Sequence, residues 1–354
     1  MPSNKYSDLK IVHFPDKLKS FRKGTISAPI YVRVKPINLC NHHCWWCVYH
    51  APEMSQMHKE MAVRDRIKLE KMIELLDDFS DIGVKALTFS GGGEPLIHPD
   101  IVPMMRYTLE RNIDLSIITN GSFLSDERAE TLANAKWVRV SMDYSCKEEL
   151  AKFRHVHESM FDEIMVNIAA FAKRKSKTCD LYVNFIVHAD NCSKLFQFSQ
   201  QLKDCGVQNV RFSPMWLSPG FHEYHRKIAA RVQVQLDQIR DKIVDKTFSV
   251  NTTYDLMSSA HNSFRTYHRC YFMQIVPVVG ADLNVYACHN KAYDETGAIG
   301  SIKDRKFSEL WFSDEAKARF DGLDPVRDCC HQCANNEKNL LIHEILNTST
   351  DNFV

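Results

Sequence analysis

The chain has 354 residues, 44% of them hydrophobic, enough to bury one large domain and a smaller one. Acidic and basic side chains nearly cancel to a net charge of +1, which removes the electrostatic case for a nucleic-acid or membrane surface. Residues 1–21 are polar and lysine-bearing and no apolar run is long enough to span a bilayer, so neither a signal peptide nor a membrane helix is expected, and the 12 cysteines read as thiol or metal chemistry in a reducing, cytoplasmic compartment.

Residues 30–35 form the first β-rich run, and directly behind it comes Cys40-Asn41-His42-His43-Cys44-Trp45-Trp46-Cys47. The C-x3-C-x2-C spacing lets one short loop present the thiolates of Cys40, Cys44 and Cys47 to a single inorganic cluster. A [4Fe–4S] cube has four irons, so three ligands leave one open, the mark of a reactive rather than a closed structural site. Zinc is the rival occupant, with His42 and His43 as candidates to complete its shell. A helix is expected over 69–82 and a strand over 86–90, followed by Ser90-Gly91-Gly92-Gly93-Glu94-Pro95, where consecutive glycines permit close backbone approach to a ligand and positive φ.

Helix 101–112 leads to strand 115–119, ending Thr119-Asn120-Gly121, and helix 126–135 to strand 137–143, where alternation puts Arg139, Ser141 and Asp143 on one face. Helix 158–175 precedes strand 181–188, which aligns Tyr182, Asn184, Ile186 and His188. Helix 194–205 precedes strand 210–214, which offers Arg211 and Ser213, then Met215 and Trp216, and helix 224–244 follows. Strand–helix alternation argues for a parallel sheet, and six units predict an α/β fold, a partial (β/α)6 TIM-like barrel, with the chemistry at the carboxyl ends of its strands. The polar strand faces suit a lumen holding a charged ligand. The plain alternatives are a buried Arg139–Asp143 pair, ordinary core roles for Asn120 and Ser141, and a solvated loop position for His188.

Near residue 245 the pattern changes. Apolar runs at 272–278 and 283–287 flank Val279-Gly280-Ala281-Asp282 and predict a β-hairpin, with a helix over 307–320 and a short one over 339–346. Cys270 precedes the hairpin, Cys288 follows it, and Cys330 and Cys333 form a C-x2-C pair. Four such thiolates enclose either a complete [4Fe–4S] cube or a tetrahedral zinc. Cys329 competes with Cys330 for the fourth place, and the spacing favours Cys330. Cys146, Cys179, Cys192 and Cys205 are scattered and read as inert thiols. The expected division is an N-terminal extension at 1–27, a barrel at 28–245, a small C-terminal β-hairpin/helix auxiliary-cluster domain at 246–337 and a tail at 338–354.

The C-x3-C-x2-C run with Trp46 before its third cysteine resembles the hallmark of the radical S-adenosylmethionine (SAM) superfamily. The resemblance implies that Cys40, Cys44 and Cys47 hold a [4Fe–4S] cluster whose open iron binds SAM. It also implies that Gly92-Gly93-Glu94-Pro95 meets the SAM amino group, that Thr119-Asn120-Gly121 closes the third strand beside it, that Ser141 and Asp143 lie near the SAM carboxylate and ribose, and that Arg154 pairs with the carboxylate. Cys270, Cys288, Cys330 and Cys333, with Gly280, Gly300-Ser301-Ile302 and Leu310-Trp311, resemble the twitch form of the SPASM extension, which implies a second, auxiliary [4Fe–4S] cluster. The implied chemistry is reductive cleavage of SAM, fed by a reductant such as flavodoxin or ferredoxin, to a 5′-deoxyadenosyl radical that takes a hydrogen atom from substrate.

For the substrate, Tyr182, His188 and Arg211 are the best catalytic or contact residues. Oxidation or epimerisation of a small molecule (a sugar, nucleotide sugar or aminocyclitol) ranks first, because twitch-type relatives include aminocyclitol dehydrogenases. Modification of a peptide or protein side chain ranks second, since only about thirty residues precede the first strand. A molybdopterin-type cyclase ranks third, because the chain ends Asp351-Asn352-Phe353-Val354 and not in paired glycines. Outside enzymes, the alternatives are an iron–sulfur electron carrier or a zinc-stabilised binding module, neither of which has a use for the glycine segment and polar lumen.

Overall fold

The architecture is taken from a computed structural model, which describes residues 7–51, 58–215, 217, 220–252, 254, 265–329 and 333–348. Seven strands run parallel in sequence order: β1 (Tyr31–Val34), β2 (Ala86–Phe89), β3 (Asp114–Thr119), β4 (Trp137–Met142), β5 (Asp180–Val187), β6 (Asn209–Pro214) and β7 (Ser249–Thr252). The helices between them are α2 (Leu69–Ile82), α3 (Ile101–Glu110), α4 (Asp126–Leu132), α5 (Lys147–Arg154), α6 (Met160–Arg174), α7 (Leu195–Asp204) and α8 (Phe221–Lys242), with α1 (Pro15–Lys23) ahead of β1. Alternation is clearest in β4, where Val138, Val140 and Met142 are buried against the helices, while Trp137, Arg139 and Ser141 face the other side. The sheet does not close, so the fold is the expected partial barrel.

The parallel sheet extends past residue 245 through β7, a seventh strand outside the six expected units. Its four residues are half-exposed and carry one apolar side chain, Val250, so no apolar run marks it. The helix α5 was also unforeseen. Extended Cys146 opens it, left-handed His155 (φ 50°) ends it, and the break separates it from α6. The expected hairpin is shorter than its apolar runs: β8 (Val278–Val279) pairs antiparallel with β9 (Asn284–Tyr286), and β10 (Ala298–Ser301) adds to β9. All three join the main sheet, because β8 runs parallel to β1. The helix expected over 307–320 is two helices, α9 (Phe307–Trp311) and α10 (Asp314–Gly322). Between them the Ser313 hydroxyl bonds the Leu310 carbonyl (2.7 Å) and accepts from Ala316 N (3.2 Å), capping the second helix. A short helix α11 (Pro325–Asp328) and α12 (Asn336–Asn347) complete the chain.

The N-terminal segment and α12 meet in a small apolar cluster of Ile11, Phe21, Ile275, Val276 and Ile342 under the barrel. No helix among the described residues is long and apolar enough to cross a membrane.

Candidate functional site

The cysteine loop sits at the carboxyl end of β1. Its backbone is pinned on one side by α5, since His43 N and Trp45 N donate to the carbonyls of Arg154 (2.9 Å) and Phe153 (3.2 Å). On the other side lies the glycine segment, with Gly93 N bonded to Ile37 O (3.1 Å) and Glu94 N to Leu39 O (3.0 Å). A Cβ on Gly93 would fall 1.8 Å from Leu39 O, and one on Gly92 would fall 2.2 Å from Asn38 Oδ1. Gly91, Gly92 and Gly93 do not adopt positive φ, contrary to the expectation. Space is what requires glycine here: a Cβ on Gly93 would meet the backbone of the cysteine loop, one on Gly92 the Asn38 side chain, and one on Gly91 the Gly93 carbonyl.

Glu94 is buried, and its carboxylate is fully engaged: Oε1 accepts from Leu96 N (3.0 Å) and Thr119 Oγ1 (2.7 Å), and Oε2 from Asn120 N (2.7 Å). It ties the ends of β2 and β3 together. Burial raises its pKa, opposed by those bonds. The Asn120 amide then reaches Asn41 of the cysteine loop (2.8 Å), and the His42 ring meets Ser122 (2.9 Å).

Asp143 is wholly buried and pairs with Arg154 (Nε to Oδ1, 2.7 Å), not with Arg139 as the plain alternative had it. Arg154 also donates to the Ser141 carbonyl (3.1 Å) and lies over the rings of Trp46 and Tyr144, each 5.4 Å from its guanidinium. The second Asp143 oxygen accepts from the Trp46 indole N–H. Trp46 is therefore a tether between the cysteine loop and β4. His188 is not a solvated loop residue. It is 1% exposed, wedged edge-on between Trp45 (5.6 Å) and Phe153 (4.6 Å).

Burial drives the Cys40 and Cys44 thiols up to about 12 and raises Cys47 as well, so without a bound group all three are neutral. Several buried polar atoms at this end have no partner among the described residues: His42 Nδ1, Ser90 Oγ, Tyr144 Oη and His188 Nε2. Such atoms gathered around three thiols mark a place made for a polar ligand. Three thiols on one loop, with open hydrogen-bonding capacity beside them, fit an iron–sulfur cluster and a bound SAM.

The second cysteine set is also brought together. Cys270, Cys288, Cys329 and Cys333 line one small cavity of about 30 Å³. Burial pushes Cys270 and Cys329 to about 12 and Cys288 to about 11. Asn339 of α12, which the sequence did not flag, donates to Cys270 Sγ (3.5 Å), and Asn335 N to Cys333 Sγ (3.4 Å). Cys330 and Trp216 lie outside the described residues. Among the described residues no three His, Cys, Asp or Glu side chains are arranged compactly enough to hold a single metal ion.

Between the two sets runs a buried polar bridge. Lys35 donates to Tyr49 Oη (2.5 Å) and Gly91 O (2.9 Å), and Tyr49 Oη meets the ring of His289, the neighbour of Cys288 (3.1 Å). No sequence signal joins residues 240 apart in the chain. Below it the barrel lumen opens into a cavity of about 1600 Å³, lined by Arg33, Trp137, Tyr182, Asn209, Asn251 and His289 among others. Ser213 on β6 bonds Asn184 on β5 (2.9 Å), and the Tyr182 ring packs on Trp137 (5.6 Å). Arg211 stands between Asn184 and Asn251 in the register of β5, β6 and β7.

Residues 34–198 match the Radical SAM superfamily. The tungsten-containing aldehyde ferredoxin oxidoreductase cofactor-modifying protein of Pyrococcus furiosus is 24% identical over 312 residues, 80% of this chain and 81% of that protein. The GTP 3′,8-cyclase of Limosilactobacillus fermentum is 28% identical over 51% of this chain, which spans only 53% of the cyclase's length. The PqqA peptide cyclase of Gluconobacter oxydans is 20% identical over 75% of this chain and 73% of its own length. Among solved structures, Streptococcus suis SuiB bound to its precursor peptide SuiA superposes with a TM-score of 0.65 at 15% identity, covering 98% of this chain and 82% of SuiB, a likeness of fold.

Proposed function

We propose that this chain, a radical SAM enzyme by the domain at residues 34–198, modifies a peptide or protein side chain by hydrogen-atom abstraction. When bound, a reduced [4Fe–4S] cluster and SAM supply a 5′-deoxyadenosyl radical. The chain's residues do the positioning. Cys40, Cys44 and Cys47 hold the cluster. Gly92 and Gly93 press the SAM-facing segment onto the cysteine loop, and Glu94 locks the ends of β2 and β3 so that Asn120 braces Asn41. Asp143 and Arg154 fix Trp46 and the SAM side of β4, with Ser141 alongside.

The observation that carries the class is the three-thiol loop at the strand ends, ringed by unpartnered polar atoms. The observation that carries the substrate is the lumen. At about 1600 Å³ it exceeds the roughly 300–1,000 Å³ usual for a small-molecule pocket; it runs from Arg33 and His289 to the amino-terminal strand ends at Asp114 and Asp180, and a space of that size would suit a peptide segment. By their names the relatives divide: the PqqA peptide cyclase acts on a peptide, the GTP 3′,8-cyclase on a nucleotide and the Pyrococcus furiosus protein on an enzyme's cofactor; none names a sugar or aminocyclitol, so the sugar reading that ranked first gives way to the peptide one. Tyr182, which lines the cavity, and Arg211, beside Asn184 in the ladder, would be contact residues, while His188, packed on Trp45, would support the cysteine loop.

Cys270, Cys288 and Cys333 with one thiol of the Cys329–Cys330 pair would hold an auxiliary cluster, and a flavodoxin or ferredoxin would deliver the electron. The test is anaerobic: protein reduced with dithionite and given SAM should release 5′-deoxyadenosine, and Cys44→Ala should abolish it. A brown protein that releases none would overturn the reading in favour of an electron carrier.

A further inference from the structure

Three arginines face the lumen from separate strands. Arg33 of β1 lines the cavity, and alternation sets Arg139 on the side of Trp137 and Arg211 on the side of Asn209, both of which line it. Arg139 of β4 lies opposite Tyr182 of β5 in the ladder, and Arg211 of β6 lies opposite Asn184 on the far side of that strand. The three are close enough to act on one another: Arg33 and Arg211 both disfavour the charge on Arg139, behind the larger effect of burial.

Among the described residues none of the three has a carboxylate partner. The buried Arg139 Nε has no hydrogen-bond partner among the described residues, and the Arg33 side chain bonds the Tyr31 hydroxyl (3.1 Å). Asp8 also lines the cavity, Asp245 is paired with Lys203 (2.6 Å), and two further acids nearby are already engaged. Asp143 belongs to Arg154, and Asp282 accepts from Tyr286 (2.5 Å) and Asn284 (2.8 Å). Lys35 adds a fourth basic group above them, held by Tyr49 and Gly91. Asp114 and Asp180 lie at the amino-terminal rim, at the starts of their strands. The three side chains are half-buried, with the Arg139 Nε fully so, and guanidinium groups left in a cavity without a counter-charge form a place where a ligand can supply the missing charge.

We propose that Arg33, Arg139 and Arg211 form a binding site for an anionic group of the substrate, a carboxylate or a phosphate, inside the barrel. The inference rests on the lumen being the substrate chamber and specifies what enters it: a segment carrying a compact negative charge, an acidic side chain or a phosphate ester. A guanidinium presents its donors in a planar fork that matches either group.

The test needs no turnover. The anaerobically reconstituted full chain is titrated by calorimetry in low-salt buffer with inorganic pyrophosphate and, separately, with the tricarboxylate tricarballylate. One equivalent of at least one probe should bind saturably. Arg139→Gln and Arg211→Gln should each weaken it about tenfold, the effect of about 1.4 kcal/mol. Arg106→Gln, which removes the same charge from an exposed surface pair, should not. Tighter pyrophosphate assigns a phosphate, and tighter tricarballylate a carboxylate. No saturable binding, or a double Arg139→Gln/Arg211→Gln variant that binds as wild type does, overturns the proposal. So does a fall in melting temperature in Arg139→Gln, because a ligand-binding arginine without a protein partner should melt at or above the wild-type temperature when neutralised. A chain that binds the anion but never cleaves SAM would refute the enzymatic reading alone.

Discussion

Replacing Arg154 with methionine removes one half of a fully buried ion pair. Asp143 is 0% and Arg154 3% exposed, so water cannot take over the abandoned carboxylate. Leaving such a charge unpaired costs about 3–5 kcal/mol, a large share of the roughly 5–15 kcal/mol that holds a typical domain folded. The neutral double variant Asp143→Asn/Arg154→Met should recover about 2 kcal/mol or more of that loss, because no orphan charge remains. Urea unfolding of the anaerobic protein measures both, with the slope checked for unchanged cooperativity. Trp46 hangs on the same carboxylate, so in cluster-free Arg154→Met the thiols of Cys44 and Cys47 should alkylate faster than in wild type. A single variant costing under about 1 kcal/mol, or strictly additive losses in the pair, would refute the claim that this ion pair anchors the site.

Gly93→Ala should lose the first cluster and unfold earlier, since its methyl would overlap Leu39 O, whereas Gly322→Ala, with nothing within 4 Å, should be neutral; iron content and melting temperature decide it. Burial lowers Lys17 from 10.5 to about 7. Between those values the unfolded chain holds a proton that the folded one does not, so stability should rise as pH climbs from about 7 to 10.5, and Lys17→Met should flatten that rise by up to one proton in pH-dependent unfolding. For the auxiliary site, iron per chain should fall in whichever of Cys329→Ala and Cys330→Ala removes the fourth ligand; Cys329 lines the cavity and the C-x2-C spacing points to Cys330. Iron unchanged in both would leave the second cysteine set without a cluster.

The barrel was legible because helix periodicity and strand alternation are strong local signals: α2 spans the residues its pattern marks, and the polar faces of β4 to β6 turn inward as their alternation requires. The cysteine loop and Glu94 stood out by motif. What stayed hidden depended on long-range contact. α5 is a short, charged helix whose last residue, Arg154, gains meaning only when it folds back under β4. Tyr49, His289 and Asn339 carry no local signature, and their roles come from partners far along the chain. The reason for Gly92 and Gly93 stayed hidden for the same cause, since what they avoid, the Asn38 side chain and the Leu39 carbonyl, lies some fifty residues earlier.

The pairing of β8 with β1 has a consequence for how this protein can change. The strand that launches the first cysteine loop borrows its outer hydrogen bonds from the segment leading to Cys288. Trimming the chain after β7 would strip that flank bare and invite self-association through the naked ladder. The two thiol-bearing regions are thus rungs of one ladder rather than hinged parts, and their separation is set by backbone geometry, which a linker could not tune.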